Sequence, residues 1–250
     1  MALTDFGPRT RLDHLLVSRG LVESRSRAQA AIKAGGVTVD GEPARSASQG
    51  VGADAVLTVI EAHGWVGRGG VKLDHALTLW PVAVQGRVVL DVGASTGGFT
   101  EVCLARGAAR VFAVDVGSGQ MNAKIAADPR VVSLEQTDVR TLDTDLIPEA
   151  PGLIVCDVSF IGVAKALPAA LALAAQGADL VALVKPQFEG EGPSDAGKKG
   201  VVRDTAAHAG AVQRVSDWLE TVGWAVQATT ESPITGGDGN IEFLLWARRT

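Results

Sequence analysis

Two lysines and two carboxylates, widely separated along this sequence, are the main candidates for acid–base chemistry. Asp157 and Lys185 each follow an apolar run, Glu242 interrupts another, and Lys72 opens a predicted helix. Such charges are most often solvated, but an unpaired charge beside a buried strand is costly. If the four side chains converge, two ammonium groups and two carboxylates neutralise one another in a site suited to proton transfer.

A glycine-rich segment, Val88–Phe99, has the pattern of a nucleotide-binding loop. Its sequence, VVLDVGASTGGF, begins as an apolar run typical of a buried strand and continues through Gly93, Gly97 and Gly98 into a predicted helix. Glycine lets the backbone approach a ligand closely, and the helix end offers free N–H groups. Asp115 follows about 20 residues later, where a carboxylate that binds a ribose is expected.

The loop residues favour S-adenosylmethionine as the cofactor. Ser95 occupies the place where a dinucleotide-binding loop has its second glycine, which admits a pyrophosphate. Asp91 stands before the first glycine, where a carboxylate repels a pyrophosphate and attracts an ammonium group. A nicotinamide dinucleotide is the alternative ligand, and an ordinary strand–helix turn is the third interpretation.

The elements that must position these residues predict an α/β domain over residues 67–250, with a Rossmann-like, mostly parallel seven-stranded sheet. Strands are predicted near 88–91, 111–115, 131–134, 153–157, 179–185, 224–229 and 241–247, and helices near 73–80, 98–106, 120–127, 163–174 and 205–222. Ligands of such sheets bind beyond the carboxyl ends of the strands. The last two strands are joined by a turn-rich segment, which predicts antiparallel pairing.

Residues 1–60 predict a small α+β domain, followed by a linker over residues 61–66. Helical spacing runs from Leu12 to Arg19, Ser24 is a candidate N-cap for a second helix, and strands are predicted at Val37–Val39 and Val56–Ile60. The stretches RLDHLLVSRGLVESRSRA (11–28) and IKAGGVTVDG (32–41) resemble the RNA-binding domain first named for ribosomal protein S4. The resemblance implies RNA contacts through Arg11, Arg19, Arg25 and Arg27, and Lys33 and Arg68 are further candidates.

Composition excludes several classes of protein. The net charge is −5, and residues 1–60 carry seven Arg/Lys against six Asp/Glu, so any RNA contact must come from local basic patches. Cys103 and Cys156 have neither a disulfide framework nor a zinc-binding spacing, and buried thiols are expected. Without a signal peptide or a long apolar span, a cytoplasmic protein is expected.

The order Lys72, Asp157, Lys185, Glu242 resembles the FtsJ-like ribose 2′-O-methyltransferases. The whole chain resembles the TlyA family of ribosomal RNA 2′-O-methyltransferases, some of which are labelled haemolysins. The supporting stretches are GRGGVKL (67–73), DVGASTGGFT (91–100), DVGSGQ (115–120), DVSFI (157–161), VKPQFE (184–189) and GNIEF (239–243). Gly70-Val71 departs from the Ala-His that relatives usually have before the lysine.

The resemblance implies methyl transfer from S-adenosylmethionine to a ribose hydroxyl, that of a cytidine in ribosomal RNA. A hydroxyl is a poor nucleophile until its proton is removed or polarised, which a desolvated lysine is able to do. Lys185 is the implied base, Lys72 the cation that orients the hydroxyl, and Asp157 and Glu242 the carboxylates that hold the lysines. In-line transfer depends mainly on positioning, and no metal is required.

For the cofactor, the resemblance places Asp91, Gly93, Ser95 and Gly97 around the methionine part and Asp115 on the ribose. Asp138 is expected near the adenine amino group. The equally favoured alternative is that Asp138 is an acidic residue of a surface loop with no role in binding. Thr96, Phe99 and Asp157 complete the candidate set. The aromatic rings of Phe99 and Phe160 are expected in the core, where either is able to border the site.

Other functions remain as alternatives. They are a ribosome-binding factor without catalysis, a nicotinamide oxidoreductase and, least favoured, a membrane-lysing toxin. Methylation of an exocyclic amine is disfavoured because Asp157-Val-Ser-Phe160 replaces the usual Asn/Asp-Pro-Pro-aromatic motif. Carbon-5 methylation of a pyrimidine is disfavoured because neither cysteine suits the role of nucleophile.

Overall fold

In a computed structural model the chain divides into two compact units, Met1–Gly64 and Trp65–Thr250. The structure describes residues 9–22, 24–33, 36–59, 64–190, 201–236 and 239–250. The boundary between the units falls inside the predicted linker. Linker residues 61–63 and the predicted strand end Ile60 lie outside the described residues.

The first unit is a small α+β fold in which two helices pack together over short strands. Its elements are β1 (Thr10–Arg11), α1 (Leu12–Ser18), α2 (Arg25–Lys33), β2 (Val37–Val39), β3 (Glu42–Pro43), β4 (Gly50–Val51) and β5 (Leu57–Val59). Strand β2 pairs antiparallel with β3 and β5, and β1 pairs antiparallel with β4. The Ser24 hydroxyl accepts a hydrogen bond from the Arg27 amide at 3.3 Å, so Ser24 caps α2. Leu12, Leu16 and Ile32 form part of the core.

The second unit is a sheet covered by helices on both faces. Its elements are α3 (Arg68–Leu79), β6 (Val88–Val92), α4 (Gly98–Ala105), β7 (Arg110–Val114), α5 (Ala123–Ala126), β8 (Val131–Leu134), β9 (Leu153–Cys156), α6 (Val163–Ala166), α7 (Pro168–Leu173), β10 (Asp179–Val184), α8 (Thr205–Thr221), β11 (Trp224–Glu231) and β12 (Phe243–Arg249), with 3-10 turns at Val139–Thr141 and Pro186–Phe188. Over the described residues the sheet has seven strands in the order β11-β12-β10-β9-β6-β7-β8. Strand β12 pairs antiparallel with β10 and β11, and the other pairs are parallel. The predicted Rossmann-like, mostly parallel sheet is confirmed.

Successive residues of the central strands pack into different layers. In β6, Leu90 and Val92 join the cluster that contains the α6–α8 side chains, whereas Val89 joins the cluster formed with α3 and α4. Such alternation is the period-2 geometry of a strand buried on both faces. The strand ends are therefore held rigidly by two apolar layers.

Three predicted helices have different bounds in the structure. The single helix predicted over 163–174 is interrupted at Leu167, because Pro168 has no amide hydrogen and begins α7 instead. The helix predicted over 120–127 is limited to α5. Helix α3 begins at Arg68, before Lys72, and includes Gly69 and Gly70. A Cβ on Gly70 would lie 2.5 Å from Trp65 Cβ, so close packing explains the glycine there.

Candidate functional site

The predicted charged residues meet at one edge of the sheet. Asp157 follows β9 and Lys185 follows β10, and these strands are parallel neighbours. Glu242 directly precedes β12, which runs antiparallel to β10 with Val184 opposite Phe243. The register therefore places Lys185 and Glu242 side by side just beyond the ladder, at the edge where ligands of α/β sheets bind.

Two close ion pairs join the four side chains. Lys72 Nζ lies 2.5 Å from Glu242 Oε2, and both residues are buried, with 6% and 3% exposure. Lys185 Nζ lies 2.6 Å from Asp157 Oδ1 and donates a hydrogen bond to Ser159 Oγ at 2.8 Å. The first pair joins residues 170 positions apart. The second joins the ends of neighbouring strands.

One member of each pair borders the same cavity. This small cavity, about 260 Å³ in volume, is lined by Lys72 and Asp157 together with the glycine-rich loop. A Cβ on Gly69, one turn of α3 before Lys72, would lie 3.5 Å from Asp157 Oδ2. The two pairs therefore frame a common site beside the loop.

The burial of Glu242 depends on a turn that precedes β12. The Ser232 amide donates a hydrogen bond to the Glu242 carbonyl at 2.9 Å, and the Gly236 amide donates one to the Asn240 carbonyl at 2.8 Å. A Cβ on Gly236 would lie 2.5 Å from Glu242 Oε1. A glycine at that position therefore leaves space for the carboxylate that pairs with Lys72.

The glycine-rich loop lies against the backbone of Asp157. Gly93 has φ +83°, and a Cβ there would lie 2.5 Å from the Asp157 carbonyl oxygen, so both conformation and space require glycine. Gly97, with φ +92°, is the N-cap residue of α4. Ser95 adopts a positive φ of 46°, and its amide donates to Asp115 Oδ2 at 2.8 Å.

A large cavity of about 750 Å³ opens beyond the ends of the parallel strands. Gly93, Ser95, Asp115, Asp138 and Asp157 line it, together with apolar side chains. The volume lies in the usual range for a cofactor site. Hydrogen bonds from Arg140 hold the pKa of Asp138 at about 2, so this carboxylate remains ionised on the cavity wall.

The predicted cofactor residues divide into three groups. The large cavity is lined by Gly93, Ser95, Asp115, Asp138 and Asp157, and the small cavity by Gly93, Ser95, Thr96, Phe99 and Asp157. Among the described residues, Asp91 and Gly97 line neither cavity. Gly97 instead faces the Ile125 side chain, and its positive φ sets the start of α4.

Asp91 lies inside β6 and not at its end. Its side chain is completely buried, with Oδ2 accepting a hydrogen bond from Thr100 Oγ1 at 2.6 Å and Oδ1 without a hydrogen-bond partner among the described residues. Burial raises the pKa of Asp91 to about 7, and the charge of Asp157 adds to the increase. Asp91 is therefore an acid whose ionisation responds to any charge brought near the loop.

The buried acid predicts a pH effect on stability. The unfolded chain releases the Asp91 proton near pH 4, whereas the folded chain holds it until about pH 7, so the folded state loses stability as the pH rises between these values. Chemical unfolding should show Asp91→Asn gaining about 4 kcal/mol relative to the parent protein over this range. Asp138→Asn is the control, because the pKa of Asp138 lies below the range. Equal pH slopes for Asp91→Asn and the parent would contradict the prediction.

Sequence reasoning missed Ser159 and Lys165, and it misplaced Phe160. The expectation that Phe160 belongs to the core is wrong: the side chain is 91% exposed, has φ +67°, and lies 5.4 Å from the Phe188 ring at the mouth of the large cavity. The only sequence signal for Ser159, Phe160 and Lys165 was that all three lie within eight residues after Asp157. Local sequence does not show which way a loop side chain points.

The basic residues of the first unit differ in their partners. Arg11 and Arg25 lie about half-exposed, and both contact the buried carboxylate of Asp13, at 2.9 and 3.3 Å. These arginines and Gln29 hold the pKa of Asp13 well below its usual range. Arg19 donates to the Ala53 and Ala55 carbonyls, so its guanidinium is used within the fold.

The other predicted RNA contacts are Arg27, which is half-buried, and Lys33, which is exposed. Arg68 lines the small cavity and donates to the Thr235 carbonyl. Cys103 and Cys156 are buried free thiols, as expected, and burial raises the pKa of Cys156 to about 12. A thiol in that state is a poor nucleophile.

Two further properties bear on function. Across the part of the chain that the structure describes, no helix is both long and apolar enough to cross a bilayer. Within the same residues, no three His, Cys, Asp or Glu side chains are grouped to hold a metal ion.

Comparison with family models assigns both units. Residues 65–249 match the FtsJ-like methyltransferase family, and residues 10–57 match the S4 domain. A more distant solved structure, an S-adenosylmethionine-dependent methyltransferase from Listeria monocytogenes, shares only the fold, with 14% identity and a TM-score of 0.54 over 73% of this chain and all of that one.

Closer relatives align over nearly the whole chain. It is 46% identical to the 16S/23S rRNA (cytidine-2′-O)-methyltransferase TlyA of Mycobacterium tuberculosis, over 96% of this chain and 90% of that protein. It is 37% identical to Hemolysin A of Brachyspira hyodysenteriae, over 94% and 98%. A solved structure from Streptococcus thermophilus, provisionally described as a hemolysin, has a TM-score of 0.77 at 38% identity, over 97% and 89%.

Proposed function

Because this chain belongs to the TlyA group of the FtsJ-like methyltransferases, we propose that it transfers a methyl group from S-adenosylmethionine to the ribose 2′-hydroxyl of a cytidine in ribosomal RNA. The single observation that carries the proposal is the pairing of Lys72 with Glu242 and Lys185 with Asp157 beside the glycine-rich loop. The S4 domain and the activity named for the mycobacterial relative support the substrate. Neither observation favours a nicotinamide cofactor.

The residues present fit S-adenosylmethionine. The large cavity has carboxylates from Asp115, Asp138 and Asp157 on its wall, beside Arg140 and Lys165, and this mixed lining suits a ligand that carries a carboxylate as well as ammonium and sulfonium charges. The buried, unpartnered Asp91 Oδ1 beneath the loop also favours a nearby cation over a pyrophosphate. We infer that Asp115 binds the ribose hydroxyls, while Asp138 approaches the adenine. When bound, S-adenosylmethionine supplies an electrophilic methyl group.

Lys185 is the proposed base for the ribose hydroxyl. Its Nζ donates a hydrogen bond to Ser159 Oγ and forms a close ion pair with Asp157. In its neutral form the amine has a lone pair that takes the hydroxyl proton as the oxygen attacks, and the resulting ammonium is neutralised by Asp157. Asp157 contacts the amine through its side chain, and its backbone packs against Gly93 of the glycine-rich loop. Asp157 therefore fixes the position of the base relative to the cofactor site.

Lys72 is the proposed orienting cation. Its pairing with buried Glu242 holds the ammonium group at the small cavity, where it is able to attract the hydroxyl oxygen. Glu242 therefore acts through Lys72 as a positioning residue. Phe160, exposed beside the large cavity, offers a ring on which the base of the target nucleotide stacks.

Ser159 is a proposed positioning residue for Lys185, and its loss should slow the reaction. Ser159→Ala removes the hydrogen-bond acceptor 2.8 Å from Lys185 Nζ, leaving the amine less constrained. We expect a loss of about 1 kcal/mol of positioning energy, or roughly fivefold in the single-turnover rate. The pH–rate profile should be displaced, and Ser159→Thr should restore both. An unchanged profile would assign Ser159 a purely structural role.

The S4 domain is proposed to dock on ribosomal RNA. The exposed guanidinium edges of Arg11 and Arg25, held by Asp13, are suited to bidentate contact with phosphates. Arg27 and Lys33 are further candidates. Arg19 is a weaker one, because two backbone carbonyls already occupy its donors.

Mapping of 2′-O-methyl groups on ribosomal RNA tests the function. Ribosomal subunits from cells lacking the modification are incubated with the protein and S-adenosylmethionine, and the RNA is analysed for ribose methylation at single-nucleotide level. A new 2′-O-methylcytidine is expected. Methylation of a base atom would contradict the proposal, and tight subunit binding without any transfer would favour a non-catalytic binding factor.

A further inference from the structure

A side cavity of about 390 Å³ lies next to the large cavity and shares Lys165 with it. Its wall comprises small residues of α6 and of the segment after β10, the ring of Phe188, and the side chains of Glu189 and Arg214. Arg214 belongs to α8, which packs on the same segment. No role proposed above accounts for this cavity.

The side cavity is rigidly connected to the candidate base. Two segments, 157–163 and 185–189, leave neighbouring strand ends and are joined at three levels. Lys185 contacts Asp157 and Ser159, the Phe160 and Phe188 rings lie 5.4 Å apart, and Glu189 Oε1 accepts a hydrogen bond from the Val163 amide at 2.9 Å. The last of these three contacts, made by Glu189, lies on the wall of the side cavity. The cavity is therefore fixed in position relative to Lys185, four residues earlier in the same segment.

The charges that face the side cavity favour an anion. The Glu189 carboxylate accepts a hydrogen bond from the Val163 amide; burial raises its pKa, and the nearby charges of Arg214 and Lys165 partly oppose that increase. Arg214 Nε donates to the Glu189 carbonyl at 3.1 Å, while its two terminal amino groups form no hydrogen bond within the described residues. Lys165 is exposed and likewise forms no ion pair with any described carboxylate. A guanidinium edge and an ammonium group thus remain available.

We propose that the side cavity binds a phosphate of the RNA strand adjacent to the methylated ribose, with Arg214 and Lys165 as its ligands. The proposal rests on the function proposed above. A ribose in RNA is flanked by a phosphate on each side, so a strand that presents its hydroxyl to Lys185 must carry a phosphate along this surface. Arginine is well suited to a phosphate because its planar donors bind two oxygens at once.

The salt dependence of binding tests the subsite. Affinity for purified ribosomal subunits is measured over a range of salt concentrations for the full chain and for Arg214→Gln, Lys165→Gln and the double variant. Each lost phosphate contact should reduce the slope of log affinity against log salt by about 0.7 to 0.9. Arg214→Gln should retain its affinity for S-adenosylmethionine in calorimetry, since Arg214 does not line the large cavity. Arg214→Lys should recover part of the slope.

Arg110→Gln is the matched control. Arg110 pairs with Glu149 at the opposite edge of the sheet and is also half-exposed, so its loss removes the same charge without reaching the side cavity. An unchanged slope for the folded double variant, or an equal change for the control, would overturn the subsite. If the parent protein binds subunits with the expected slopes and transfers no methyl group, the proposed function fails while the subsite stands.

Discussion

Lys185→Met should lower the rate of methyl transfer by a factor of about 100 to 10,000, the range expected when a general base is removed. The substitution keeps most of the side-chain volume, and it removes the amine that contacts Asp157 and Ser159. Because Lys185 lines neither cavity, affinity for S-adenosylmethionine should change little. Single-turnover transfer to ribosomal subunits and calorimetry with the cofactor measure the two quantities.

A second substitution at Lys185 distinguishes a role as general base from a purely electrostatic role. Lys185→Arg keeps a cation near Asp157, but a guanidinium does not give up its proton at accessible pH. We therefore expect Lys185→Arg to be as inactive as Lys185→Met. Activity retained by Lys185→Arg and lost in Lys185→Met would assign Lys185 an electrostatic role, and activity retained by both would remove it from the mechanism.

Breaking the Lys72–Glu242 pair should destabilise the protein strongly as well as inactivate it. Either Lys72→Met or Glu242→Leu leaves one charge buried without its partner, at a cost of about 3 to 5 kcal/mol. For a domain of this size the midpoint of thermal unfolding should fall by about 10 °C. The double variant Lys72→Met/Glu242→Leu should recover most of that stability, because neither charge is then buried, and it should remain inactive.

Differential scanning calorimetry of the four proteins measures this coupling as a double-mutant cycle. The exposed pair Arg110–Glu149 is the control, and its cycle should yield no more than about 1 kcal/mol. Additive losses at Lys72 and Glu242 would show that the two side chains do not stabilise one another. A fully active double variant would remove both from the proposed mechanism.

Much of the fold was predictable because local pattern and burial agree. Apolar runs rich in β-branched residues, such as Val88–Leu90 and Leu153–Cys156, favour a strand that is covered on both faces. Both runs form such strands in the structure. Helix ends were less predictable. Gly69 and Gly70 have poor helix propensity, and they lie within α3 because Trp65, Phe99 and the start of α4 pack closely against them.

For the candidate site, the sequence predicted which residues take part but not their partners. The partition into Lys72–Glu242 and Lys185–Asp157 depends on the antiparallel register of β12 and on the path of α3. Asp91 was expected to face a ligand, but as a residue within β6 it points to Thr100. Phe160 was expected in the core, and a positive φ turns its ring outward.

The sequence by itself determined the residue types at the strand ends, the two-unit organisation and the family, since each follows from hydrophobic pattern or from motifs contiguous in the chain. Only the tertiary structure decided which charges neutralise each other, which acid is buried and which cavities adjoin. Those properties arise from contacts between segments as many as 170 residues apart, and such contacts are set by strand order and packing, which no local stretch of sequence encodes.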